Sequence, residues 1–152
     1  MKHFLTFMFL VSISLTSFGQ KDVDTKAMIG YGCYSGGSQS ESVIKFSKLF
    51  YKSKFKKFVK LLDSRNNAEK VLSAFICEKL AEKGKIKLDS ESLEKIKSIK
   101  NSEQLVSVCS GCTYFDKITM KQFFLKDESN FMLDSADFWF DYISNQTAGN
   151  TR

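Results

Sequence analysis

Most of the reactive chemistry in this 152-residue chain belongs to four cysteines, Cys33, Cys77, Cys109 and Cys112. Two of them form a C-x-x-C, Cys109-Ser110-Gly111-Cys112. A thioredoxin-like redox pair has this spacing, but it needs a strand before it and a helix after it in a βαβ setting. The pattern upstream reads as helical. A tetrahedral zinc site needs four thiolates, and Cys33 and Cys77 are widely separated single residues. Structural disulfide chemistry remains as the expectation. Four cysteines allow three pairings, and we expect a bridge from Cys33 to Cys109 or Cys112, tying an N-terminal loop to the C-terminal half. Cys77 lies with Ala74 and Ala81 on a narrow strip of small residues at helical spacing. That strip suits a close helix approach or a buried free thiol.

The lysines are the second feature. From Lys45 to Lys60 there are seven lysines and no acid, whereas Asp127 to Asp141 holds five acids and no base. Lys45, Lys48, Lys52 and Lys56 follow near-helical spacing and are the candidate partner-binding residues. With a net charge of +6, they point to an acidic partner or an anionic surface. Histidine occurs once, at His3. Beyond that position there is no Ser-His or Cys-His nucleophile, no histidine base and no histidine metal ligand. No catalytic residue, metal or cofactor is expected. The carboxylates at Glu69, Asp89 and Asp134 are accounted for as helix caps.

The first residues decide how the cysteines are read. Lys2 precedes an apolar run from Phe4 to Phe18, and Ser17-Phe18-Gly19 ends in small residues that a signal peptidase accepts. The run is 15 residues, short of the ~20 that span a bilayer. We therefore expect residues 1–19 to be a signal peptide cleaved near Gly19, and a secreted or periplasmic protein. Removing 19 of 152 residues leaves 133, a single domain. Export lowers the case for nucleic acid as a partner.

Residues 20–40 are rich in Gly and Ser and read as a loop. Residues 41–62 read as helix, with Val43, Phe46, Leu49 and Phe50 on one face and Phe55, Phe58, Val59 and Leu62 on another. At 100° per residue the two groups point about 160° apart, so a turn near Ser53 is required. Residues 66–83 form the clearest helix: Asn66 caps it, Glu69 completes a capping-box variant, and Gly84 ends it. Asp89 caps the next helix, with Leu88 and Leu93 as a hydrophobic staple and Leu93, Ile96 and Ile99 pointing inward. Asn101 with Gln104 suggests a further helix start, although Leu105–Cys109 also fits a short strand. A short helix covers 118–125. Asp134 or Ser135 opens a last one, rich in aromatics, through Ser144, and the aromatics should pack on the body or on a partner, the body being the safer expectation. Residues 145–152 read as a frayed tail.

Two resemblances follow from these residues. Tyr31-Gly32-Cys33-Tyr34 with Gly36-Gly37 resembles the calcium loop of secreted phospholipases A2. The following ESVIKFSKLFYKSK has neither the histidine nor the paired cysteines of that family's catalytic helix, so no hydrolase is expected. FKKFVKLLDS followed by NNAEKVLSAFICEKL, residues 55–80, resembles one helical hairpin of the HEAT-repeat family. The proline usual in the first helix and the arginine usual in the second are missing. The resemblance implies a short stack of hairpins that binds other macromolecules.

The expected fold is thus mainly α: a small bundle or short stack of hairpins over 41–144, stapled by a disulfide to its N-terminal loop. The expected function is a non-catalytic protein-binding module, such as an exported inhibitor. A thiol oxidoreductase using Cys109 and Cys112 is the alternative, and peripheral contact with the envelope through the lysines is a third.

Overall fold

The computed structural model describes residues 23–127 and 130–149. The expected signal peptide lies outside the described residues. Among these, no helix is long and apolar enough to cross a membrane.

The helices follow the apolar spacing closely. Helix α1 spans Glu41–Tyr51, α2 Phe55–Leu61, α3 Asn67–Glu82 and α4 Ser90–Lys100. Ser53, in the left-handed region at φ 50°, makes the turn between α1 and α2, so both apolar groups of 41–62 reach the core. Phe46 and Phe58, one from each helix, stack at 5.4 Å. Asn66 caps α3 through bonds accepted from the amides of Ala68 and Glu69. Glu69 does not close a capping box; it holds Lys45 and Ser64 instead. Gly84, at φ +65°, ends the α3 region, and Asp89 caps α4. Ile96 and Ile99 point inward as expected, but Leu93 is 52% exposed and forms no staple.

The expectation of a mainly α stack of hairpins is overturned by a three-stranded mixed sheet. Strand β2, Leu105–Ser110, is central. It pairs parallel with β1, Met28–Ile29, and antiparallel with β3, Tyr114–Thr119. The helix start read at Asn101 is therefore absent, and the strand alternative holds. The physical reason is two-sided burial. Val106 and Val108 join the main core, while Cys109 joins a small second core with Met28 and Cys33 on the other face. A strand buried on both faces loses the polar alternation that would mark it in sequence. Strand β1 hides in the Gly-Ser loop because it is only two residues long.

Helix α5, Met120–Phe123, follows β3 with a full capping box from Thr119 and Gln122. Helix α6 begins at Phe131, ahead of the expected Asp134, and runs to Gly149, through part of the expected tail. Asn130 joins the two helices: its side-chain amide donates to carbonyls at the end of α5, and its oxygen accepts from Leu133 N–H.

Cys33 and Cys109 are bonded across 76 residues, with Cα atoms 5.6 Å apart. Around the bridge, Cys33 and Ser38 exchange backbone hydrogen bonds of 2.7 and 2.9 Å. Gly111 N–H donates to Gly32 O at 2.7 Å, and Tyr34 N–H to Gly111 O at 2.9 Å. Gly30 lies directly under the bridge; a Cβ there would overlap both sulfurs. Cys33→Ser should cost about 2–5 kcal/mol in denaturant unfolding. Gly30→Ala should do comparable damage and leave a fraction of Cys33 and Cys109 as free thiols in a thiol titration; full oxidation with unchanged stability would contradict this packing.

Candidate functional site

Two surfaces have the chemistry to bind something, and the structure redistributes the expected site residues between them and the core. Lys45 is held by Glu69 on α3. Burial of the Glu69 carboxyl works against its charge, but bonds from Lys45 and Ser64 outweigh it and hold the pKa below the ordinary glutamate value. Lys48 and Lys52 are exposed at the C-terminal end of α1. Lys56 sits beyond the turn, on α2. The expected stripe is thus broken at Ser53 rather than continuous.

The cysteines also divide. Cys109 is bonded to Cys33, so the two sulfurs of the C-x-x-C are not bonded to each other. Both bridged residues are buried, whereas Cys112 is exposed between the paired ends of β2 and β3. Cys77 is buried in α3. Burial, with the charge of Glu78 second, pushes its thiol up to about 12. Such a thiol has little thiolate and is inert. The carbonyls of the loop that resembles a calcium loop accept backbone bonds from within the chain: Cys33 O from Ser38 and Tyr34 O from Gly37. No group of three or more His, Cys, Asp or Glu residues able to hold a metal occurs among the described residues.

The α6 aromatics, which the sequence leaves to the body or to a partner, divide in the structure. Helix α6 carries two stripes. Met132, Ala136, Trp139, Phe140 and Ile143 are buried. Phe131, Phe138 and Tyr142 recur on the solvent side, about 130° around the helix from the first stripe. Phe138 is 77% exposed and Tyr142 53%. A cleft of about 630 Å3 opens here, with Trp139 in its floor and Tyr31 and Gln39 of the N-terminal loop as its facing wall. Tyr31 and Trp139 rings meet at 5.5 Å, and the indole N–H donates to Ser47 Oγ at 3.0 Å. Beyond the cleft, Tyr114 of β3 stands edge-on to Phe131 at 5.0 Å. Tyr34, exposed and held at φ 63°, contacts Phe115 at 5.3 Å. Tyr31 of the loop, Tyr114 of the hairpin and the α6 rings therefore meet around this cleft, whereas Tyr34 and Phe115 lie on the other face of β3 with the second core. Asp134 lines the cleft, and Asp141 is exposed on the same helix.

The second surface is a cleft of about 510 Å3 beside α2, edged by Lys56 and four other lysines. No family model matches the chain, and neither a curated protein nor a solved structure matches it.

One detail of the aromatic cleft is unusual. The Tyr31 hydroxyl is buried with no hydrogen-bond partner among the described residues. Burial, then the charge of Asp137, raises its pKa far above the ordinary tyrosine value. A group whose folded pKa is raised keeps its contribution below the unfolded pKa and loses it as pH rises above that value. Stability should therefore fall above about pH 10. Tyr31→Phe should flatten that fall in denaturant melts and leave neutral-pH stability within about 1 kcal/mol. An unchanged alkaline limb would remove Tyr31 as its source. Separately, a thiol reagent should label Cys112 in the folded protein and reach Cys77 only after unfolding; equal labelling rates would contradict the burial of Cys77.

Proposed function

We propose that this chain is an exported, non-catalytic binding protein that holds a protein partner on the aromatic surface of α6, β3 and the N-terminal loop. The observation that carries the reading is the exposure of Phe138 and Tyr142 beside a Trp139-floored cleft. Scattered exposed apolar residues are ordinary, but a contiguous patch marks an interaction surface. Tyrosine, tryptophan and phenylalanine supply much of the energy in protein interfaces, with little side-chain entropy to lose. The aromatic rings here come from three segments, and the loop is fixed to the hairpin by the Cys33–Cys109 bridge. Such preorganisation favours binding, because less freedom is lost on association.

Export is supported by the signal-type segment at 1–19 and by the disulfide, which is compatible with an extracellular or periplasmic compartment. The partner read from the lysine stripe was an acidic one. The aromatic surface carries Asp134 and Asp141, so here the complementary partner is neutral or basic.

A photo-crosslinking residue placed at 138 or 142 in the full chain, expressed in its own cells, should give a discrete protein adduct. The same residue at Lys97, on the exposed face of α4, should not. Phe138→Asp should abolish the adduct formed from position 142 while changing unfolding stability by no more than about 0.5 kcal/mol, since it touches no core. Equal adducts from 97 and 142, or a loss of several kcal/mol on Phe138→Asp, would defeat the reading.

A further inference from the structure

We propose that the cleft between the start of α2 and segment 85–87 binds a single-chain amphiphile with an anionic head, a long-chain carboxylate or alkyl phosphate. This cleft shares no residue with the aromatic one, so the two readings stand or fall separately. Its floor is apolar: Phe55, Val59 and Ile86 are half-buried and packed against the main core. Its rim is cationic: Lys54, Lys56, Lys57, Lys85 and Lys87 are all exposed. Local structure sets this order. On α2, Phe55 and Val59 lie four residues apart on one face, and Lys56 and Lys57 stand between them in sequence. After Gly84 turns the chain, Lys85, Ile86 and Lys87 alternate outward, inward, outward.

The charge is what selects the ligand. No acidic residue lines the cleft, and none of its five lysines is in an ion pair among the described residues. Lys45, Lys79, Lys95, Lys100 and Lys121 are paired to carboxylates, while other lysines such as Lys48 and Lys52 are exposed without an ion pair among the described residues; what sets the cleft apart is five such lysines around one concavity with no acid in its lining. Like charges around a concavity repel one another and focus a field that an anion relieves. An inorganic anion would satisfy the rim and leave the floor wet. An acyl chain covers the floor as well. The volume, about 510 Å3, falls in the range of small-ligand sites. Bilayer adsorption fits less well, because an interfacial helix inserts a protruding apolar face. Here the apolar atoms are the floor and the lysines are the rim, so the chain of the ligand must come to the protein.

Titration calorimetry of the oxidised full chain, with monomeric laurate and dodecyl phosphate, tests this. Both should bind saturably at one site, more weakly as salt rises. Decanoate, two methylenes shorter, should bind roughly three- to tenfold more weakly than laurate, less than the about sixteenfold that two fully buried methylenes would give, because the cleft is open. Lys57→Glu with Lys87→Glu should weaken laurate by at least about tenfold, and Ile86→Ser should weaken laurate more than it weakens phosphate. Lys97→Glu should change neither. Any of four results would overturn the proposal: dodecyltrimethylammonium binding as tightly as laurate, inorganic phosphate matching dodecyl phosphate, anionic vesicles binding while the monomers do not, or a polyglutamate peptide binding more tightly than laurate.

Discussion

The constraint on which the remaining architecture rests is the close approach of Gly30 to the Cys33–Cys109 bridge. β2 is the central strand and is buried on both faces, so one face can close over the helices only if something else closes the other. The N-terminal loop does this, and the sulfurs lie where a side chain of residue 30 would be. A bridge spanning 76 residues removes much of the freedom of the unfolded chain. It also fixes the loop from its far end. The near end is closed by reciprocal bonds between Gly30 and Ser40: Ser40 N–H donates to Gly30 O at 2.9 Å, and Gly30 N–H donates to Ser40 Oγ at 3.1 Å. The same Ser40 hydroxyl caps α1. One short loop thus sets the start of a helix, an edge of the sheet and the wall of a cleft.

The bridge also explains why the two sulfurs of the C-x-x-C are not bonded to each other in this fold. Residues alternate across a strand, and Cys109 faces the second core with Cys33. Cys112 lies past the paired end of the strand, Ser110 with Tyr114, and is exposed. The spacing in sequence is that of an oxidoreductase, but the strand register assigns the two sulfurs to different environments. A motif of this kind takes its meaning from the element that carries it.

The helical part of the fold was legible because its signals are local. Apolar spacing located α1 to α4, the opposed faces of 41–62 required the turn at Ser53, and Asn66, Gly84 and Asp89 marked the ends. The bridge was legible down to two choices at its C-terminal end. Of the sheet only β2 was legible, as the strand alternative at Leu105–Cys109, because the rest of its information is non-local. Two residues at 28–29 become a strand only by pairing with 107–108, and nothing in their own neighbourhood says so. Polar Asp116 and Lys117 within Tyr114–Thr119 leave β3 without an apolar run. The lysines were visible as a charge run, but their grouping needed residues 85–87 from another part of the chain. The aromatics of α6 were visible as a cluster that packs on the body or on a partner; Trp139 and Phe140 pack on the body, while Phe138 and Tyr142 are exposed. The signal that separates them was present, since Phe131, Phe138 and Tyr142 cannot share a face with Trp139 and Phe140 on one straight helix.

That second stripe is difficult to explain by folding alone. Burying a phenylalanine is worth about 1.5–3 kcal/mol relative to leaving it in water, and Phe138 forgoes most of this. Helix α6 does not need it for attachment. Trp139, Phe140 and Ile143 are buried, the indole is bonded to Ser47, and Asp137 is paired with Lys79 on α3. A polar residue at 138 would fold as well and be more soluble. Departures from the pattern that stability alone would choose are expected where a surface has another use. The helix is anchored on one side and leaves its aromatic stripe exposed on the other, as the proposed partner-binding reading requires, and the bridged loop holds the facing wall of the cleft opposite it.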